Sequence, residues 1–98
     1  MGEDSHAGAV FNAQLAWLGH VKDLVDSVRQ IAPDVGFEEV DDLIEHGEPL
    51  IGLNSLAWLI TTQRILVPLA VISSIREDVA GSSEEPFLPG NLEEFGTE

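Results

Sequence analysis

The side chains with the greatest capacity for chemistry lie in one stretch, from Asp34 to Glu48. This stretch contains seven acids and no Lys or Arg, in a chain of 98 residues whose formal charge is -14. The acids are Asp34, Glu38, Glu39, Asp41, Asp42, Glu45 and Glu48. Carboxylates at this density can serve as general acids and bases, coordinate a cation or attract a positively charged protein. Each of these uses makes a different demand on the surrounding residues.

Catalysis requires a carboxylate whose pKa is tuned by burial or by a charged neighbour. The spacing of these acids instead places most of them on one solvated helix face, where nothing desolvates them. The chain also has no glycine-rich phosphate loop, no Ser or Cys nucleophile motif and no dinucleotide fingerprint. We therefore predict that the protein is not an enzyme and has no catalytic residue.

A metal site is the second possibility, because His46 lies beside Glu45 and Glu48. The spacing matches neither a calcium-binding EF-hand loop nor a zinc motif with two histidines one helical turn apart. The other histidines, His6 and His20, are far away in sequence, and there is no cysteine. We predict no metal site and no cofactor, and we expect His20 to be packed or half-exposed beside an apolar helix face.

The composition also argues against nucleic acid and membranes as partners. The chain has four basic residues, Lys22, Arg29, Arg64 and Arg76. They offer too little positive charge to hold phosphates. The longest apolar run, from Leu56 to Ile60, is far shorter than the roughly 20 residues of a membrane helix. No signal peptide is visible at the start, so we expect a cytoplasmic protein.

Helices must position the acids, because apolar residues recur with a helical period along most of the chain. The pattern predicts an all-α, four-helix bundle. The first helix runs from about Ser5 to Ala32 and ends at Pro33. Its predicted apolar face contains Val10, Trp17, Val21, Leu24, Val25, Val28 and Ile31. Its opposite face contains Lys22, Asp26, Arg29 and Gln30.

The second helix, from about Phe37 to His46, carries the acids. Its predicted apolar side contains Phe37, Val40, Leu43 and Ile44. Its solvated side contains Glu38, Glu39, Asp41, Asp42 and Glu45. Gly47 suits the left-handed position after a helix, and Pro49 suits the first turn of the next one. We therefore predict a tight corner between the second and third helices.

The third helix, from about Pro49 to Thr61, is apolar on nearly all sides. Its main stripe contains Leu50, Leu53, Leu56, Ala57 and Ile60, whereas Ile51, Trp58 and Leu59 point elsewhere. Such a helix is either central to a bundle or has a second apolar face for a partner. Trp58 is accordingly buried against a second neighbour or lies at the edge of a binding surface, whereas Trp17 is expected in the core.

The fourth helix, from about Pro68 to Ala80, ends at Gly81 and completes a bundle domain of residues 1–81. Its predicted inward stripe contains Leu69, Ile72, Ile75 and Val79. Residues 82–98 form a tail of different composition, with five acids and no base. Its apolar residues, which can dock the tail on the bundle, are Phe87, Leu88, Leu92 and Phe95. We expect the last few residues to be mobile, so that the tail is partly flexible.

The stretch from Glu39 to Trp58, EVDDLIEHGEPLIGLNSLAW, resembles the central motif of the MafI-like immunity proteins of bacterial polymorphic toxin systems. In that family one helix ends in the pattern acidic-Leu-Ile-x-His/Ala-Gly-Glu, and it runs into a second helix of the form Ala-Leu-x-x-Leu. The sequence from Val67 to Leu69 is also similar, and the likeness extends from about Asp34 to Ala80. It implies a cytoplasmic antidote that binds and blocks one toxin domain, often a nuclease.

The acidic helix agrees with that implication, because an acidic surface can occupy the basic surface with which a nuclease holds phosphates. Like charges without compensating bases one turn away also destabilise a helix, which indicates that they have a use. We expect a protein that is monomeric alone and binds the basic C-terminal domain of its toxin one to one. The predicted contact residues are Glu38, Glu39, Asp41, Asp42, Glu45 and Trp58.

The alternative is a non-catalytic helical adaptor or regulatory subunit. Its contact would be the apolar surplus of the third helix, and the acids would only keep the protein soluble. A stable homodimer that survives high salt favours this alternative. A neighbouring reading frame that encodes a large secreted protein with a basic C-terminal domain favours the immunity function.

Overall fold

The computed structural model describes the backbone of residues 2–98 and the side chains of residues 14–98. It confirms the predicted all-α, four-helix fold. The helices are α1 (Gly2–Ile31), α2 (Glu38–Glu45), α3 (Pro49–Thr62) and α4 (Leu69–Val79). Two predictions concern side chains outside this range. They are the inward position of Val10 and the separation of His6 from the other histidines.

The core is built around α3, which contacts each of the other three helices. Leu53, Leu56 and Ile60 of α3 are fully buried, as the periodicity predicts. The other helices each bury one apolar stripe against them. The buried residues that they contribute include Val21, Val25 and Val28 of α1, Val40 and Ile44 of α2, and Ile72, Ile75 and Val79 of α4.

Five apolar residues are less buried than the sequence predicts, and two of them, Leu43 and Leu50, are half-buried. Ile31 is 46% exposed and is the last residue of α1. Leu69, in the first turn of α4, is also exposed, and its side chain lies against the backbone of Gly96. Trp17 is partly buried, packing against the core and stacking with the ring of His20.

The corner between α2 and α3 has the predicted form. Gly47 has a φ of 79°, a left-handed conformation that L side chains rarely adopt. The amide of Glu48 donates to the carbonyl of Leu43 (2.8 Å), and that of Gly47 donates to the carbonyl of Ile44 (3.2 Å). These two bonds form a Schellman motif, which satisfies the last carbonyls of α2 and turns the chain directly into α3.

Close packing of α2 on α3 depends on a second glycine. A Cβ atom at Gly52 would lie 2.9 Å from Cγ1 of Ile44 and 3.6 Å from the carbonyl oxygen of Val40. The missing side chain therefore lets the two helices approach closely, and this pair forms the most extensive helix contact in the molecule. The short α2 consequently has a fixed position on the longer α3.

Residues 82–98 pack against the bundle and share its core. Leu92, in a short 3-10 helix (Leu92–Phe95), is fully buried, and Leu88 is nearly so. Strands β1 (Val67–Pro68) and β2 (Gly96–Thr97) form a short parallel pair near the end of the chain. The predicted boundary at residue 81 is thus a change in composition and does not interrupt the core. Sequence reasoning identified no strand, because two residues carry no alternating pattern.

A salt bridge also holds this segment. The guanidinium of Arg76 in α4 binds the carboxylate of Glu93, with Nη2 2.6 Å from Oε1, and it donates to the carbonyl of Pro89 (3.1 Å). Hydrogen bonding to Arg76 holds the pKa of Glu93 below its usual value, and the same bond raises the pKa of Arg76. A second 3-10 helix, Glu85–Phe87, lies nearer the start of the segment and approaches α3.

Candidate protein-binding site

The five acids of α2 occupy three different positions around the helix. Asp41 and Glu45, one turn apart, border a groove between α2 and α1. Glu39 borders a second groove, between α2 and α3. At 100° per residue, Glu38 and Asp42 lie between these two edges, on the most outward part of the helix. The predicted single face therefore divides into an α1 edge, an outer ridge and an α3 edge.

On the α1 edge, Asp41 is held by a base. Nη2 of Arg29 lies 2.6 Å and 2.7 Å from the two carboxylate oxygens of Asp41, and Nη1 lies 3.1 Å from Oδ1 of Asp26. The guanidinium also stacks over the ring of Phe37, at 5.3 Å from its centroid. Arg29, predicted on the solvent-facing side of α1, therefore links α1 to the start of α2.

The charges in the α1–α2 groove are consequently mixed. Its charged lining consists of Lys22, Asp26, Arg29, Asp41 and Glu45. Both signs of charge line it, and Arg29 pairs with Asp26 and Asp41, so local attraction offsets much of the field that the acids would produce alone. This groove is less suited to attracting a cationic partner than the opposite edge of α2.

The α2–α3 groove is uncharged apart from one edge. Its lining combines the apolar side chains of Leu43, Ile51, Trp58 and Leu59 with those of Asn54, Ser55 and Thr62, and Glu39 lies at the edge. No basic side chain lines it among residues 14–98. Trp58 is 48% exposed and Ile51 is 39% exposed, although both belong to the helix at the centre of the core. The second apolar side of α3, predicted from the sequence, therefore reaches the surface here.

Trp58 lies at the edge of this groove and is held in place by the C-terminal segment. Its indole Nε1 donates a hydrogen bond to the carbonyl of Phe87 (2.8 Å), so its polar atom has a partner while much of the ring stays accessible. Phe87 itself is 63% exposed. Of the two positions predicted for Trp58, the structure favours the edge of an exposed surface.

Asn54 makes the neighbouring contact with the C-terminal segment. It is the buried polar side chain of the described core, and its Nδ2 donates to the carbonyl (3.3 Å) and to Oε1 (3.1 Å) of Glu84. The sequence pattern does not single out Asn54 or the groove position of Leu43, and it predicts docking of Phe87 without its contact to Trp58. Asn54 is polar and lies one turn before Trp58 in an otherwise apolar helix. This is the sequence signal that another part of the chain packs on this face of α3.

The two histidines whose side chains are described, His20 and His46, have structural contacts. Nδ1 of His46 donates to the carbonyl of Asp42 (2.6 Å) at the end of α2, and Nε2 of His20 lies 2.6 Å from Oδ2 of Asp78 in α4. Within the part of the chain whose side chains are described, no three His, Asp or Glu residues converge as a metal site. No described helix has the length and apolar character needed to span a membrane.

Comparison with known proteins gives no relative on which to base a function. The chain matches no protein-family model, no curated protein and no solved structure. The resemblance to MafI-like immunity proteins consequently rests on the motif from Glu39 to Trp58, and the candidate site rests on its geometry.

Proposed function

We propose that this protein inhibits a cationic protein by binding to it, as an immunity protein of the MafI-like type neutralises its toxin. The observation that carries the proposal is the composition of one surface. Glu38, Glu39 and Asp42 are exposed acids with no basic partner among residues 14–98, and Glu39 borders the same groove as the half-exposed Trp58. The inhibitor acts without catalysis, by covering the basic surface with which its target holds a substrate.

Two physical features support this function. We call Glu38, Glu39 and Asp42 together the acidic ridge of α2. These acids raise the rate at which a basic protein finds the surface, because the attraction acts before contact. An exposed tryptophan then supplies the large contact area that dominates many interfaces. Together they combine attraction at long range with an anchor at short range.

The structure suggests different roles for the acids that the sequence groups together. In our proposal Glu38, Glu39 and Asp42 contact the partner, together with Trp58. Asp41 holds α2 against α1 through Arg29, and Glu45 lies beside the mixed charges of the α1–α2 groove. Substitution of Asp41 therefore weakens the attachment of α2 to α1 and also changes the charge of the surface.

The decisive experiment uses the protein encoded by the neighbouring reading frame. Its C-terminal domain is expressed in a test strain with or without this chain, and growth, co-purification and complex mass are measured. We expect growth only with this chain, and a one-to-one complex. A variant with Glu38, Glu39 and Asp42 replaced by Lys is expected to lose protection.

A matched control separates position from charge. Replacing Asp23, Glu77 and Glu94 by Lys changes the formal charge equally at three exposed positions outside α2. We expect this control to protect. If the α2 variant protects as well as the control, or if the neighbouring domain is harmless without this chain, the proposed inhibition by the acidic ridge is wrong.

An adaptor function remains the second candidate, and the exposure of Ile51 and Trp58 specifically favours it. An adaptor would bind mainly through apolar contact, so its affinity would be nearly independent of salt. Light scattering in 1 M NaCl separates the two functions. A homodimer or partner complex that forms equally well there supports the adaptor, whereas weakened binding supports electrostatic recognition.

A further inference from the structure

We infer that the α2–α3 groove receives an amphipathic, cationic α-helix of the partner, with apolar side chains on the groove floor and Lys or Arg along both edges. This inference rests on the proposed function, because it specifies how the inhibitor would hold its target. It moves the centre of the interface from the acidic ridge to the groove beside it.

The shape of the groove favours a helix. On α3 the lining residues Ile51, Ser55, Trp58 and Thr62 follow a spacing of four, three and four, which forms one row along a helix. On α2 the lining residues Glu39 and Leu43, one turn apart, form a second and shorter row. Two such rows make the groove into which a third helix packs. The row on α3 spans about 16 Å, or three helical turns.

The size of the groove agrees with surface docking. Its volume of about 370 Å³ is near the lower limit of small-molecule pockets, which begin at about 300 Å³. It is also largely open to solvent, whereas small-molecule sites enclose most of their ligand. A few apolar side chains projecting from one face of a docked helix fit such a space, as in other helix-in-groove complexes.

The charges around the groove determine the chemistry of the partner. Glu39 and the ridge residue Asp42 supply negative charge on the α2 side. Glu84 and Glu85 supply it on the other side, where Asn54 and Trp58 bind the C-terminal segment. An apolar centre bounded by acids on both sides is complementary to an apolar helix stripe flanked by Lys or Arg.

Trp58 is suited to anchor this helix because its position is already fixed. The hydrogen bond from its Nε1 to the carbonyl of Phe87 orients the ring before the partner arrives. Ordering a free side chain at an interface costs about 0.5–1.5 kcal/mol, and a pre-oriented ring avoids much of that cost. Leu43, Ile51 and Leu59 then provide the adjoining apolar floor.

The test uses fluorescence from Trp58 alone. In a Trp17→Phe background, Trp58 is the single tryptophan, since the chain has two. The probe is a synthetic helix of about four turns with a leucine stripe flanked by lysines. We expect a blue shift of the Trp58 emission and saturable binding in 150 mM NaCl. A lysine oligomer of equal charge is expected to bind at least ten-fold more weakly.

Substitutions locate the probe. Ile51→Ser and Trp58→Ala, followed by anisotropy of a labelled peptide, are each expected to weaken binding about ten-fold. The control is Leu66→Ser, because Leu66 is 60% exposed and lies outside the groove. It should change the affinity less than two-fold. Circular dichroism of each variant verifies the fold, and Ile51→Ser leaves the hydrogen bond to Phe87 intact.

The possible outcomes distinguish the groove from the function. Equal binding of the leucine–lysine helix to wild type and Ile51→Ser, or equal binding of the lysine oligomer, overturns the groove inference. So does absence of peptide binding, even if the neighbouring toxin domain is neutralised; in that case the proposed function stands without the groove. Specific peptide binding without neutralisation supports the groove and contradicts the immunity function.

Discussion

A single basic residue, Arg29, gives the two edges of α2 different properties. Its guanidinium binds the carboxylate of Asp41 and stacks on the ring of Phe37, so one edge of the acidic helix is held against α1. Glu38, Glu39 and Asp42 lie beyond its reach and keep their charge exposed. At the residue scale, support of α2 and attraction of a partner are thus carried by different acids.

The Arg29–Asp41 contact should contribute measurably to stability. Replacing Asp41 by Asn removes the ion pair, and we expect a loss of about 0.2–1 kcal/mol because the pair is partly exposed. Asp42→Asn removes an equal charge without breaking a salt bridge, and it is the control. Urea denaturation measures both. Equal free energies of unfolding for the two variants would show that the ion pair contributes nothing.

Gly47 offers a second test at one residue. Its φ of 79° places any L side chain in the left-handed region, so Gly47→Ala should destabilise the protein by about 1–2 kcal/mol. No atom lies within 4 Å of the added methyl, so the cost comes from the backbone. Gly19→Ala, in α1 and equally free of neighbours, should instead stabilise by about 0.5–1 kcal/mol. Thermal unfolding of both variants checks the opposite signs.

At the scale of elements, the C-terminal segment acts as a fifth part of the bundle. It buries Leu92 in the core, closes the short sheet with β1 and orients Trp58 through the carbonyl of Phe87. The surface proposed to bind a partner therefore depends on a segment whose composition predicts a tail.

Removal of the Leu92 side chain should show this dependence. Leu92 is 0% exposed, so Leu92→Ala is expected to cost about 2–5 kcal/mol through lost burial and the cavity left behind. Phe87→Ala truncates a larger but exposed side chain of the same segment, and should cost less than about 0.5 kcal/mol. Chemical denaturation compares them. A Leu92→Ala protein as stable as wild type would mean that the segment is not part of the cooperative core.

The attachment of the segment should weaken in acid. The pKa of Glu93 is lowered by its hydrogen bond to Arg76, so the folded state binds this proton less readily than the unfolded chain. The resulting stabilisation is present at neutral pH and is lost as the pH falls below about 4. Glu93→Gln removes the charge and with it this stabilisation. The difference in unfolding free energy between wild type and variant should therefore shrink as the pH falls from 7 to 3. A constant difference would contradict this linkage.

The sequence was sufficient where structure depends on near neighbours. The helical period located all four helices, and Gly47 with Pro49 identified the corner, because both signals act within a few residues. Contacts over longer separations were not predictable in this way. Arg29 meets Asp41 across 12 positions and Asn54 meets Glu84 across 30. Both contacts depend on how the elements pack against each other, and the helical periodicity of a single helix does not specify that packing.

At the scale of the whole molecule, the excess of negative charge has a local and a general component. Acids outside the stretch from Asp34 to Glu48 lie on α1, α4 and the C-terminal segment, and they contribute to the formal charge of -14 and to solubility. The basic residues Arg29 and Arg76 are held by carboxylates on α1, α2 and the C-terminal segment. The ridge of α2 is thus a local concentration within a generally acidic molecule, and kinetics can separate the two contributions.

We therefore expect the association rate with the cationic partner to depend on salt and on the position of the acids. Raising NaCl from 50 to 500 mM shortens the screening length to a few ångströms and should slow association about ten-fold or more, with a smaller change in dissociation. Stopped-flow fluorescence measures both rates. Lys replacements at Glu38, Glu39 and Asp42 should slow association and flatten its salt dependence.

The same charge change at Asp23, Glu77 and Glu94 provides the comparison. If the ridge steers the encounter, this control lies between wild type and the ridge variant at low salt, because only the general attraction is reduced. All three proteins should then converge at 500 mM NaCl, where screening removes the difference. Identical slopes for the two triple variants would assign the attraction to the net charge of the molecule and leave the ridge of α2 without a role in recognition.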